Sequence, residues 1–363
     1  MQGTDKRARS VISPTRLIPD QWLAGKRTSQ FYIFNPAIIR HRGRLLMVYR
    51  VDFGRDGAPQ GRAACAICEL DQDWQVTPGS VVALSDTIVA GGLNHYDPRF
   101  LVFRERLFVY YNNNWDTVPN QMYLVELDVD TLQARSSARP LHLAGPRQQI
   151  EKNWTFFEHG EDLFAVYQID PHIVLRVELS EQTPILCRPL HTVAWDTSNY
   201  ASHYGALRGG TPPVRLGDSY VSIFHSRKNP YSLAAATRSP TVRNLVQIEW
   251  VRRFKRWVRD QLNPIRYYGG VYTFAAKPPF APIYLRPHPI LRPEHEDRQQ
   301  KPTASYLAPR RVVYPCGLVS LDSGQWLVSY GVHDERCVLR TLALSDLALQ
   351  PVDAAPGHAR MNQ

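Results

Sequence analysis

The stretch Tyr96–Asn113, "YDPRFLVFRERLFVYYNN", decides the fold. It opens on an acidic residue, a proline and an arginine, enters a period-two apolar segment, crosses a polar turn, and ends a second apolar segment on aromatic and amide side chains. Two such runs around a polar turn read as a β-hairpin. Whether Asp97 at its head is a turn-former or a chemical group is open at this point.

The hairpin recurs. "NPAIIRHRGRLLMVYR" from Asn35, "DPRFLVFRERLFVYYN" from Asp97, "NWTFFEHGEDLFAVYQ" from Asn153 and "TPPVRLGDSYVSIFHS" from Thr211 align without a gap, and "YPCGLVSLDSGQWLVSYG" from Tyr314 aligns with a two-residue insertion. Each copy has a polar head, usually followed by Pro, then strand, turn and strand, with Tyr49, Tyr111, Tyr167, His225 and Tyr330 at equivalent ends. The heads fall 62, 56 and 58 residues apart, then 103, with a basic segment and a Pro-rich run stretching the last interval. Further strand-like runs lie between the hairpins. A period of this length holding about four short strands is the mark of a β-propeller. The expected fold is therefore all-β, a five-bladed β-propeller with one inserted basic amphipathic helix.

At 363 residues the chain has room for two average domains or one large all-β fold, and the repeat favours the second. The expected organisation is one propeller domain over 1–363, with an N-terminal extension over 1–30, a helical insertion over 243–264 and a C-terminal tail over 350–363. Aromatics at 11% suit strands and sugar-facing surfaces rather than a helical bundle. The N-terminus has no apolar core of a leader, and no run of about eighteen apolar residues occurs, so a cytoplasmic protein is expected. "CAIC" (Cys65, Cys68) sits in a strand-like run with no second pair at zinc spacing, so free thiols and no metal site are expected.

The net charge of +10 suits an anionic partner. Part of it is concentrated in "RNLVQIEWVRRFKRWVRDQLNPIR", Arg243–Arg266, where Val251, Phe254, Val258 and Leu262 recur at helical spacing and the arginines fall mostly elsewhere on the wheel. Such a helix packs its stripe on its own domain or makes peripheral contact with an anionic membrane. No nucleic-acid motif accompanies the charge, so a nucleic-acid partner is not expected. Nothing in the sequence sets the oligomeric state.

In a propeller the inner strands start around the central channel, which gathers Asn35, Asp97, Asn153, Thr211 and Tyr314 about one axis. Asp97 would then face Arg99, Lys152 and Arg208, with His225 and Arg50 arriving from the ends of second strands. Cations around one acid suit an oxyanion beside a bond that must be protonated. Inverting hydrolysis needs a second carboxylate to activate water, for which Asp52, Glu151 and Asp334 are candidates, whereas phosphate is already nucleophilic. The pattern leans toward phosphorolysis. Each residue also has a plainer role: Asp before Pro as a turn, Arg99 as its partner, His225 as a satisfied core group. "RGGTPP" (Arg208–Pro213) is either a tight turn or a close approach of backbone amides to substrate.

"FNPAI" with "YRVD", "YDPRF", "EKNW", "RGGTP", "YYGGVYTFAAKPPF" and "VVYPCGLV" with "VSYGVHD" occur in an order and spacing that resembles glycoside hydrolase family 130, from about Phe34 to Asp334. The resemblance implies a five-bladed propeller and an inverting enzyme, typically a β-mannoside phosphorylase that forms or uses α-mannose 1-phosphate. Hydrolases and β-mannosyltransferases belong to the same structural group. It implies that Asp97 is the general acid, acting through a sugar hydroxyl, and that Asn35, Arg50, Asp52, Lys152 and Asp334 bind sugar. It further implies phosphate held by some of Arg99, Asn113, Lys152, Arg208, His225 and Tyr268, with inorganic phosphate as co-substrate, a β-mannoside or related glycan as partner and no cofactor. Two departures stand out: Tyr96 replaces the acidic residue common before the "DPR" Asp, and the basic segment is outside the pattern. A non-catalytic carbohydrate-binding propeller is the alternative class, which would have no need of Asp97 as an acid.

Overall fold

The computed structural model describes residues 9–54, 62–113, 120–148, 150–228, 265–297, 310–321, 324–343 and 346. The expected helical insertion over 243–264 and the tail over 350–363 lie outside the described residues. After a short first strand, β1 (Arg9–Ile12), the chain forms β2 (Phe31–His41), β3 (Arg44–Phe53) and β4 (Ala63–Leu70). A second set follows as β5 (Tyr96–Phe103), β6 (Arg106–Asn112), β7 (Met122–Glu126) and β8 (Arg139–Leu143). The third set is β9 (Thr155–His159), β10 (Asp162–Gln168), β11 (His172–Glu178) and β12 (Ile185–Val193). The fourth comprises β13 (Ala206–Arg208), β14 (Val214–Leu216), β15 (Ser219–Lys228), β16 (Ile265–Ala275) and β17 (Pro282–Leu285). β18 (Arg310–Arg311) leads into the last set, β19 (Val313–Ser320), β20 (Trp326–Val332) and β21 (Arg336–Leu342).

Every hairpin read from the repeat is an antiparallel pair: β2 with β3, β5 with β6, β9 with β10, β14 with β15 and β19 with β20. Each pair heads its own set, which gives five blades. A parallel contact between β8 and β12 fuses the second and third into one eight-stranded sheet. The segment expected as an N-terminal extension contributes β1, which pairs with β21 and completes the fifth blade.

The apolar packing closes the blades into a ring. Five buried clusters join neighbours in turn: the fifth blade to the first through Leu339 and Met47, first to second through Val48 and Val109, second to third through Tyr110 and Phe156. Phe157 and Phe274 join third to fourth, and Val271 and Val328 join fourth to fifth. A cavity of about 310 Å³ is lined by the inner strand of every blade, with Ile38, Phe100, Phe156, Pro212 and Leu318 among its walls. It marks the central channel. "CAIC" is accounted for by β4, where Cys65 and Cys68 are buried free thiols.

Local chemistry fixes how the inner strands begin. Asn35, Asp97 and Asn153 have φ of 53°, 51° and 64°, a left-handed conformation that Asn and Asp tolerate better than other non-glycine residues. The pairing register slips between Phe34 and Ala37 and between Tyr96 and Arg99, so both heads are β-bulges. Pro36 and Pro98 sit in these bulges, where the missing N–H costs no ladder bond. Asp97 is thus a turn-former, and the bulge re-aims its side chain.

In the β5–β6 turn both exposed central residues, Arg104 and Glu105, are left-handed, at φ 50° and 60°. Glu105→Gly is expected to raise stability by about 0.5–1 kcal/mol, the relief of strain exceeding the entropy that glycine adds to the unfolded chain. A urea denaturation midpoint that does not rise would contradict this.

Candidate active site

The bulges at Asn35 and Asp97 bring two repeat heads into contact: Asn35 Nδ2 donates to Asp97 Oδ1 at 2.8 Å. From the end of β3, Arg50 presents Nε and Nη2 to the two oxygens of Asp52, both at 2.6 Å, and Nη1 to Asp97 Oδ1 at 3.2 Å. Asp52 is buried, whereas the Asp97 side chain keeps 15% exposure, enough to meet a ligand. Burial raises the Asp97 pKa, but Arg50, the Asn35 amide, Lys152 and Arg99 more than offset it. The net shift is downward, so Asp97 is a carboxylate in the free protein at neutral pH.

The heads of the third and fifth repeats are also joined. Tyr314 donates its hydroxyl to Asn153 Oδ1 at 2.5 Å and accepts from Arg99 Nη2 at 3.3 Å. The Tyr314 ring lies 4.5 Å from the imidazole of His225, whose Nδ1 is 2.9 Å from the Gly209 carbonyl oxygen. A carbonyl only accepts, so Nδ1 carries the proton and Nε2 the lone pair. Burial, then Arg208, Arg99 and Lys152, hold the His225 pKa well below the usual range, and the ring is neutral. Burial also lowers the Lys152 pKa; Asp97 opposes the shift, while Arg208, Arg227 and Arg50 reinforce it. This is a field short of negative charge.

The structure thus gathers Asn35, Arg50, Asp52, Asp97, Arg99, Lys152, Arg208 and His225. Asn113 and Tyr268 turn to other partners. Asn113 closes the β6–β7 connection, its Oδ1 accepting from the Gln121 amide at 2.8 Å. Tyr268 packs its ring 5.3 Å from Tyr204 and feels Glu294, Arg266 and Arg292. Strand alternation gives the other face to Tyr267, which stacks with His225. Asp334 lies in the β20–β21 turn with φ 58°. Thr211, the fourth head, uses its hydroxyl to accept from the Ile223 amide at 3.0 Å.

The candidates for a second carboxylate sort differently. Both oxygens of Asp52 are taken by the fork of Arg50. Glu151 accepts from the Gln148 amide, the Tyr167 hydroxyl and the Trp154 indole at 2.7, 3.2 and 3.2 Å, a structural role. Sequence reasoning missed Phe34 and Tyr96, whose rings lie 4.8 and 4.1 Å from the Arg50 guanidinium carbon. Their signal was present, since both occupy the position before a repeat head. It also missed Gly331, where a Cβ would stand 2.1 Å from Asn35 Oδ1. The paired glycines of "RGGTPP" are close approaches, but to protein: a Cβ at Gly209 would meet the Asn153 carbonyl oxygen at 1.9 Å and one at Gly210 the Ile223 oxygen at 2.1 Å.

The sequence matches no family model and no curated protein. Solved structures match over nearly the whole chain. A β-1,2-mannobiose phosphorylase from Listeria innocua, in complex with β-1,2-mannobiose, superposes with a TM-score of 0.54 at 12% identity, over 95% of this chain and 94% of the other. A structure from the GH130 family, described with hydrolases that target β-1,2-mannosidic linkages in Candida mannan, gives 0.54 at 14% identity over 90% and 87%. This chain has the family 130 fold. A candidate glycosidase from Bacteroides thetaiotaomicron shares it as well, with a TM-score of 0.58 at 14% identity over 85% and 86%. No helix among the described residues is long and apolar enough to cross a membrane.

Proposed function

We propose that this protein is an inverting, glycan-active enzyme, most specifically a β-mannoside phosphorylase that forms or uses α-mannose 1-phosphate, with inorganic phosphate as co-substrate and no cofactor. The observation that carries the reading is the charge imbalance at the channel mouth. Asp97 stands among Arg50, Arg99 and Lys152, with Arg208 and His225 beyond, while Asp52 is neutralised by Arg50 and Glu151 is committed elsewhere. Two of the three carboxylates that could activate water are thus committed, whereas an anion cradle is well provided for. The family 130 fold, shared with a mannobiose phosphorylase, supports the same reading.

In the cleavage direction a phosphate oxygen attacks the anomeric carbon as the glycosidic bond breaks. The bonding pair leaves on the glycosidic oxygen, which takes a proton originating on Asp97, through a sugar hydroxyl as the family resemblance implies. Asp97 is ionised in the free protein, so its proton must arrive with the substrates. Phosphate placed beside Lys152 and Arg99 offsets part of the positive field that lowers the Asp97 pKa, and a protonated phosphate supplies the proton. Neutral His225 Nε2 suits acceptance from a phosphate hydroxyl.

The test is a product assay on a panel of β-mannosides with and without inorganic phosphate. Sugar 1-phosphate should form only when phosphate is present. Lys152→Ala and His225→Ala should each raise the KM for phosphate about tenfold or more, with smaller effects on sugar affinity. Equal cleavage without phosphate would identify a β-mannosidase. Productive turnover only with a nucleotide-activated mannose would identify a β-mannosyltransferase, and no turnover with any donor would leave a carbohydrate-binding propeller.

A further inference from the structure

Arg50 is held on every side. Its Nε–Nη2 fork is filled by Asp52, and Nη1 reaches Asp97. The guanidinium carbon lies over the ring of Phe34, 4.8 Å from its centroid, and over that of Tyr96, closer still at 4.1 Å. Both rings are buried. They come from equivalent positions in neighbouring blades, each one residue before a left-handed head. The bulge that turns Asn35 and Asp97 toward one another therefore also sets an aromatic ring against the cation between them.

We propose that Tyr96, with Phe34 as its counterpart, is a positioning residue for Asp97: the two rings fix the plane of Arg50 so that one guanidinium engages Asp52 and Asp97 together. The physical basis is that a desolvated guanidinium is attracted to aromatic faces and slides readily in its own plane unless its edges are also engaged. With the rings present, Nη1 stays in reach of Asp97. Without them, Arg50 keeps its bidentate bond to Asp52, which is the shorter pair, and drifts from Asp97. Other groups facing Asp97 are Asn35, Lys152, Arg99, the Tyr314 hydroxyl and the thiols of Cys65 and Cys316. Neither thiol nor phenol ionises near neutral pH, since burial raises all three. Arg50 is first among the groups that favour the Asp97 carboxylate, so its displacement raises the proton affinity of Asp97.

The inference rests on the reading of Asp97 as proton donor, but its test does not require turnover. In protein labelled with carbon-13 at the aspartate carboxyl, the Asp97 resonance is identified by its loss in Asp97→Asn and followed through a pH titration. Tyr96→Leu should move the midpoint upward by about one pH unit, a tenfold change in proton affinity, whereas Tyr96→Phe, which keeps the ring face, should titrate like the wild type. Should Tyr96→Leu not fold, Phe34→Leu gives the same reading from the other ring. A midpoint unmoved in the leucine variant overturns the clamp, and so does a shift in the phenylalanine variant as large as in the leucine one. A shifted titration in a protein that cleaves no β-mannoside sustains the clamp and removes phosphorolysis. An unmoved titration in an active phosphorylase does the reverse.

Discussion

Asp97→Asn is expected to lower phosphorolytic turnover by about 10²–10⁴-fold, the effect of losing a general acid, while sugar binding persists. Asparagine tolerates the left-handed φ of 51° found at this position, so the bulge should survive. The amide oxygen can still accept from Asn35 Nδ2 and Arg50 Nη1, which now hold the carboxylate. What the amide cannot do is deliver a proton. Turnover and KM would be measured by release of sugar 1-phosphate, and sugar affinity by calorimetry. A loss confined to affinity would make Asp97 a sugar ligand only. Unchanged turnover would reduce it to the turn residue that its backbone already shows it to be.

Gly209→Ala is expected to cost about 3 kcal/mol, at the upper end of overpacking penalties, or to prevent folding altogether. Its Cβ would lie 1.9 Å from the Asn153 carbonyl oxygen and 3.2 Å from Thr155 Cγ2, so the clash is with the backbone at the start of a neighbouring inner strand. Backbone cannot swing aside as a side-chain tip can. The same glycine offers its carbonyl to His225 Nδ1, so any alanine protein that folds should also show weaker phosphate binding. Chemical denaturation gives the first quantity and phosphate KM the second. A stability within 1 kcal/mol of the wild type would mean that two blades can part at this point more easily than the packing implies.

The inner hairpins were legible because each must solve the same problem: a polar head in a bulge, two apolar strands, a turn, and an aromatic or His end against the next blade. That recurrence is written in consecutive residues. β1 was not legible. "RSVI" is four residues without strong alternation, and its partner "CVLR" (Cys337–Arg340) is far along the chain. Asp97, Arg50, Arg99, Lys152 and His225 could be gathered from repeat position alone, since the ring geometry brings equivalent positions together. Tyr268 could not be placed, because choosing between Tyr267 and Tyr268 needs the strand register. Glu151 looked available as a carboxylate in sequence; only the fold brings Trp154 and Tyr167 onto it. The rings around Arg50 are aromatic residues in apolar-looking strands, and their chemistry emerges only when two blades face each other.

The pairing of β1 with β21 also sets an order of events for a chain emerging from the ribosome. β1 is made long before its partner and has nothing to pair with until Arg336–Leu342 has been synthesised. Until then the first blade exposes the apolar face around Met47 that later meets Leu339 of the fifth. Contacts so distant along the chain form late and slowly, and the interval exposes unpaired strand edges. A chain cut short before Arg336 would yield four blade-like units and the β19–β20 hairpin with an open seam, a species prone to recruit the β1 partner it lacks from an intact copy of the protein.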